Sequence, residues 1–333
     1  MEHRKNNFTI IMVLILTGLL LLGGCGESRE KVYRIGILSG LDYIADIAEG
    51  FKAKMRELGY IEGENISYEI NRTNFEPERE KQVIKKFISD RVDLIFTFPT
   101  EVSIEAKKAA QETDIPVLFA FANIEDTGLV ESVRRPGGNI TGVRYPGPDI
   151  AIKRFEIMLE FVPGAKRILI PFQRGYPIVA SQLDALRPRA ESLDIELLES
   201  PASNAEELQK DLMKRFKSAD TDIDAILFIA EPLAVTPDAF AVIGEFAAKH
   251  KLPVGGALMT VGEYSSLFGV NVEIFRAGED AAILADKILR GIPADTIPVV
   301  SSESYFEINY RAALDLGIKV NEGLLSRADR ILR

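Results

Sequence analysis

The chain has 333 residues, 47% of them hydrophobic, and a net charge of −10 from 40 basic and 50 acidic side chains. The acidic surplus speaks against a nucleic-acid partner, which calls for a basic stripe, and the length suits two lobes better than one. One cysteine and two histidines, one of them His3, leave no intrachain disulfide and no multi-histidine metal site.

The chain opens with Arg4 and Lys5 ahead of an apolar run, Phe8 to Leu22, which ends in small residues before Cys25. The run is short for a bilayer span and reads as a signal peptide over residues 1–24; the alternative is an uncleaved N-terminal anchor. Leu22-Gly23-Gly24-Cys25 resembles a bacterial lipobox. That resemblance implies acylation of Cys25, a lipidated tether over 25–32, and a place in the cell envelope outside the cytoplasm, on the membrane surface.

Downstream, Tyr33 to Leu38 reads as a buried strand. A helix follows, with Ile44, Ile47, Phe51, Met55 and Leu58 at helical spacing and Gly59 to end it. Asn65–Ile70 alternates as a strand, Glu78–Ser89 as a helix, and Val92–Phe96 as a strand. Val102–Glu112 is again helical, and Pro116–Phe119 again a strand. Strands alternating with helices through short joints predict a parallel sheet covered on both faces.

The pattern then restarts. Arg167-Ile168-Leu169-Ile170 echoes Arg34-Ile35-Gly36-Ile37, Asp224–Phe228 echoes Asp93–Phe96, and Leu252-Pro253-Val254 echoes Ile115-Pro116-Val117, at offsets of about 131 to 137 residues. Leu267–Val270 likewise answers Ile140–Val143. The expected fold class is therefore α/β, with two doubly wound parallel-sheet lobes of similar topology hinged around a ligand cleft. The N-terminal lobe is expected over 31–145 plus 272–296 and the C-terminal lobe over 146–271. Residues 297–333 hold a crossing segment and a tail whose lobe is left open. Tyr145-Pro146-Gly147-Pro148 reads as an extended crossing, Asn271 to Arg276 as a return, and Pro293 and Pro298 as marks of a further crossing.

Open α/β sheets bind ligands beyond the carboxyl ends of their strands. The candidate binding residues are therefore Ser39, Gly40, Asp42, Thr97, Phe98, Thr100, Phe121 and Ala122 in the first lobe, with Gln173, Arg174, Tyr176, Glu231 and Gly256 in the second. Thr97 and Thr100 lie where a helix begins, and free N–H groups there suit a carboxylate; simple N-capping by Thr100 is the alternative. Phe98, Phe121 and Tyr176 are either aromatic walls or core. Glu231 either meets an ammonium or is solvated, and Arg174 either grips a carboxylate or projects into water. His250 sits at an expected helix C-terminus, where its charge is favourable. No nucleophile–base pair, P-loop or metal motif is present, so no catalytic residue, cofactor or metal is expected.

Arg135-Pro136-Gly137-Gly138-Asn139-Ile140-Thr141-Gly142-Val143 is similar to a signature of the TrpX-like group of ABC-importer substrate-binding lipoproteins. The resemblance extends to Leu58–Asn65, to Ile115–Ala120, and to Leu316-Gly317-Ile318 with Leu325–Asp329. It implies a type I periplasmic-binding fold and no catalysis. It also implies a small solute, an amino acid or related carboxylate, delivered by a monomer to a permease and its ATPase. It supports Ser39, Thr97, Thr100 and Phe121 as ligand-loop residues. Where the family often shows Gly-Val-Asp-Tyr-Tyr, this chain has Gly269-Val270-Asn271-Val272-Glu273. That departure puts Asn271 in the place of an acidic ligand-side residue, removes two aromatics, and leaves Glu231 or Glu273 to replace the carboxylate. The other output compatible with the same fold is a sensory lipoprotein that reports to a membrane receptor without transport.

Overall fold

The computed structural model describes residues 31–40, 44–74, 76–216 and 222–333; the leader, Cys25 and Asp42 lie outside them. In the first lobe β1 (Tyr33–Ser39), β2 (Ile66–Arg72), β3 (Leu94–Phe98), β4 (Val117–Ala122) and β5 (Ile140–Arg144) alternate with α1 (Asp46–Glu57), α2 (Pro77–Ser89) and α3 (Thr100–Ala110). The strands stand in the order β2-β1-β3-β4-β5, and every neighbouring pair is parallel. β3 is buried along its whole length, because helices cover both faces of the sheet.

The second lobe repeats this plan. It runs through α4 (Gly147–Phe161), β6 (Arg167–Gln173), α5 (Val179–Ser192), β7 (Glu196–Ala202), α6 (Ala205–Arg215), β8 (Ala225–Leu227), α7 (Pro237–His250) and β9 (Val254–Gly255). A hairpin of β10 (Thr260–Val261) and β11 (Tyr264–Ser265) precedes β12 (Phe268–Val272). The parallel order is β7-β6-β8-β9, and a Gly256–Gly269 bridge sets β12 beside β9. The internal repeat reaches single hydrogen bonds. Asp93 Oδ2 accepts the Arg34 N–H at 2.8 Å, and Asp224 Oδ2 accepts the Arg167 N–H at 2.8 Å. In each lobe the aspartate's own N–H returns to the arginine carbonyl, at 2.8 and 2.9 Å.

After β12 the chain goes back. α8 (Ile274–Leu289) lies against α1, and its Ala281, Ala285 and Ile288 join the core of Ile35, Phe51 and Phe96. β13 (Val300–Ser301) adds an edge strand parallel to β5. β14 (Ser304–Asn309) then pairs antiparallel with β12, and α9 (Tyr310–Asp315), α10 (Glu322–Arg327) and β15 (Arg330–Leu332) follow. β15 lies parallel to β14, while Phe306, Ile308, Ala313 and Leu324 enter the core of the second lobe. The tail therefore packs with the second lobe. Among the described residues no helix is long and apolar enough to cross a membrane.

Two expectations from the sequence are corrected. The segment read as an extended crossing is extended only at Tyr145-Pro146; α4 already begins at Gly147, since Pro148 falls in its first turn where no N–H is needed. Pro298 does not mark a departure from the first lobe. Thr141 Oγ1 donates to the Ile297 carbonyl at 2.7 Å, and Val299 N–H donates to the Val133 carbonyl at 2.8 Å. The chain leaves only at Ser302-Glu303, after β13.

The α1–α8 contact depends on two glycines inside helices, where glycine alone is unfavourable. A Cβ on Gly50 would lie 2.0 Å from the Phe275 carbonyl oxygen, and one on Gly278 would lie 2.0 Å from that of Ile47. Gly278→Ala is therefore expected to lower stability by about 1–3 kcal/mol, despite alanine's better helix propensity. A urea denaturation midpoint at or above that of the parent would refute this backbone-contact argument.

Candidate functional site

The C-terminal ends of the two parallel sheets face each other across a cavity of about 380 Å³. From the first lobe come Pro99 and Thr100 at the start of α3, Phe121 at the end of β4 and Asn123 just after it, and Tyr145 after β5. From the second come Tyr176 and Ile178 after β6, Ile229 to Pro232 after β8, and Ala257 to Met259 after β9. Asn271 on β12 and Tyr305 and Glu307 on β14 close one wall, and Arg154 reaches in from α4.

The first-lobe side is polar and positively polarised. Thr100 opens α3, whose first N–H groups lack partners within the helix. Its Oγ1 accepts the Asn123 N–H at 3.0 Å. Asn123 is 4% exposed and its Oδ1 has no partner among the described residues. Phe121 has φ +52°, a left-handed backbone rare for a bulky residue, at a register shift between Ala120 and Ala122. This bulge turns the ring into the cavity, where it meets Tyr145 edge-on with centroids 4.9 Å apart. Tyr145 donates to Asn271 Oδ1 at 3.4 Å, and burial pushes its phenol pKa up, so the hydroxyl stays neutral.

The second-lobe side holds charge. Glu231, 6% exposed, accepts N–H bonds from Gln173 and Leu233 at 2.8 Å and from Ala234 at 2.7 Å. Burial pushes its carboxyl above the usual range, against the pull of those three amides and of Arg154. Glu307 pairs with Arg330 at 3.3 Å. Arg154, 2% exposed, donates from Nε and Nη2 to the Val270 carbonyl at 2.9 and 2.8 Å, and from Nη1 to the Phe228 carbonyl at 3.1 Å.

Of the residues expected from sequence, Thr100, Phe121, Tyr176, Glu231 and Asn271 line the cavity. The other described ones stand elsewhere. Thr97 is buried in the sheet, donating to Ser103 Oγ at 3.0 Å, and Phe98 is core beside Phe96. Ser39 and Gly40 hold the end of β1, through Thr73 N–H to the Ser39 carbonyl and Gly40 N–H to the Phe98 carbonyl. Ala122 is buried in β4, and Gln173 contributes only its amide, to Glu231. Arg174 pairs on the surface with Glu207 and the Pro201 carbonyl. Gly256 is a backbone requirement: its φ is +111°, and a Cβ would lie 2.3 Å from the Phe228 carbonyl oxygen. Glu273 pairs with Arg330 at 2.7 Å.

Sequence reasoning missed Arg154, Tyr145 and Tyr305. For Arg154 a signal was present. It shares the apolar stripe of Ile150, Ala151, Phe155 and Met158, where an unexplained cation is a warning. Asn139, in the Pro-Gly-Gly-Asn run, does not line the cavity. Its Nδ2 donates to the carbonyls of Ala110, Thr113 and Ile115, at the opposite end of the sheet.

Glu231→Gln keeps the shape but has one carbonyl oxygen for three N–H groups that two carboxylate oxygens now share. At least one buried amide loses its acceptor, so stability is expected to drop by about 1–3 kcal/mol. An unchanged thermal midpoint would show that Glu231 is not the anchor of this loop.

Residues 35–332 match the family model described as ABC transporter substrate binding protein. A tyrosine-binding protein of Clostridioides difficile (strain R20291) is 24% identical over 311 residues, 87% of each chain. A Streptococcus pneumonia ABC domain in complex with L-Trp aligns with a TM-score of 0.76 at 19% identity, over 91% of this chain and 100% of that one. A ligand-free, open substrate binding protein with adhesive properties from Clostridium difficile aligns at 0.73 and 22%, over 90% and 99%. These likenesses show the two-lobed α/β fold of periplasmic binding proteins. The family consists of extracytoplasmic transport proteins that bind a substrate without transforming it. With nearly its whole described length matched and a cavity at the facing strand ends, this chain belongs to the ABC transporter substrate binding proteins.

Proposed function

We propose that this protein is a lipid-anchored receptor that closes its two lobes on an amino acid or a related carboxylate and hands it to a permease and its ATPase, acting as a monomer. The observation that carries this reading is the cavity between the lobes, lined by a helix start, an unpartnered carboxamide oxygen and several aromatic rings. The α-carboxylate would sit at the first N–H groups of α3 beside Thr100. The ammonium would take Asn123 Oδ1 and Glu231 as acceptors. Glu273 is tied to Arg330, which favours Glu231 as the replacement for the family's acidic residue. The aromatic faces lost at positions 272 and 273 have substitutes in Tyr145 and Tyr305, which supports a guest with a ring. The tyrosine-binding relative and the L-Trp complex support the same size of guest.

Closure would draw the lobes together about their crossings, and the closed form would be the one the permease reads. A ligand at about one hundred times its dissociation constant raises stability by about 2.7 kcal/mol. Thermal-shift screening of the twenty amino acids, aryl carboxylates and small dicarboxylates is expected to find such a ligand. In calorimetry, Thr100→Ala should then weaken its binding about tenfold. A panel with no stabilising member would sink the receptor reading.

The anchor is tested separately. Cells expressing the full chain are expected to incorporate labelled palmitate into the protein, and Cys25→Ser to abolish it. Label retained by the variant would place the acyl group elsewhere or remove the lipobox reading.

A further inference from the structure

Arg154 stands out in the electrostatics of the cavity. Taking a guanidinium out of water costs several kcal/mol unless an anion meets it. Both carboxylates at the cavity are met, Glu231 by three amides and Glu307 by Arg330. Arg154 hydrogen-bonds only two neutral carbonyls; no carboxylate among the described residues lies within 4 Å of it, and buried Glu231 acts on it only through space. Burial lowers its pKa, yet an arginine starts so far above neutrality that it remains a cation. Its three hydrogen bonds use three of five N–H donors, leaving one on Nη1 and one on Nη2 in a side chain that borders the cavity.

We propose that Arg154 determines the specificity of the cavity by binding an anionic group, a carboxylate, on the end of the solute that faces the second lobe. This rests on the receptor reading above and narrows it. The α-carboxylate belongs to the start of α3 beside Thr100 and the ammonium to Asn123 and Glu231, so the carboxylate at Arg154 is a second acid, carried by the side chain. The fixed carbonyl bonds hold the guanidinium in place before the ligand arrives, so little side-chain entropy is lost on binding. An amide in place of the acid would leave the buried charge unanswered.

The test uses pairs matched in shape and different in charge: L-glutamate with L-glutamine, and 4-carboxy-L-phenylalanine with 4-carbamoyl-L-phenylalanine. Calorimetry on the full chain is expected to show at least one acid binding about tenfold or more tightly than its amide. Arg154→Gln should erase that ratio, while Arg154→Lys, which keeps charge without the planar fork, should retain part of it. A purely structural arginine would alter both members of a pair alike. If Arg154→Gln fails to fold, the ratios of the parent and of Arg154→Lys decide. The inference is overturned if amides bind as well as acids, if neither acid binds, or if Arg154→Gln keeps the preference. Neutral amino acids binding under those outcomes would leave the receptor reading standing; a wholly silent amino-acid panel would remove both.

Discussion

Parallel strands deliver all their C-terminal ends to one edge of a sheet, and two such edges face one another here because the chain passes between the lobes three times. The passages at Tyr145-Pro146, Glu273 and Ser302-Glu303 lie close enough to be stitched by shared side chains. Arg144 donates to Ser301 Oγ at 2.7 Å and pairs with Asp149 at 3.0 Å and with Glu125. Lys153 Nζ donates to Ser304 Oγ at 3.1 Å, and Arg330 joins Glu273 to Glu307. These bonds are partly exposed and individually weak. They organise the passages through several weak contacts.

The cavity inherits its chemistry from this arrangement. Its first-lobe face is made of backbone ends, a helix start and a strained bulge at Phe121, whose polarity is fixed and carries no net charge. Its second-lobe face contains the titratable groups, two of which, Glu231 and Arg154, are held from behind by backbone. Glu231 gathers the amides of its own loop and of β6, and Arg154 fastens α4 to the carbonyls of β12 and of Phe228. Both groups therefore hold the lobe in shape and present charge to the space beside it.

The run that carried the family resemblance holds the first lobe in shape and does not line the cavity. Asn139 binds three carbonyls at the end of α3 and the start of β4, and Gly137 and Gly138 take φ of +76° and +60° to let the chain turn into β5. Asn65 does comparable work after α1, accepting the Ile61 N–H at 2.7 Å and donating to the Gly59 carbonyl at 3.0 Å. These are the places where one backbone solution exists, and so they identify a fold.

The plan was legible in the amino-acid order: alternating strands and helices, their repetition, and the strand ends as the place for a site. These follow from periodicity and from hydrogen bonds between residues whose spacing recurs, as at Asp93 and Asp224. The amino-acid order also brought Thr100, Phe121, Tyr176, Glu231 and Asn271 into consideration, since loops after parallel strands share one edge. Which members of each loop face the cavity was decided by tertiary structure. Thr97 and Thr100 are three residues apart, yet one belongs to a strand buried on both faces and the other to a helix start at the edge. The tail's place beside β12 and the convergence of Arg154 with Glu231 were likewise beyond local pattern. They arise from contacts between segments more than thirty residues apart in the first case and more than seventy in the second, and only the packed lobes bring those together.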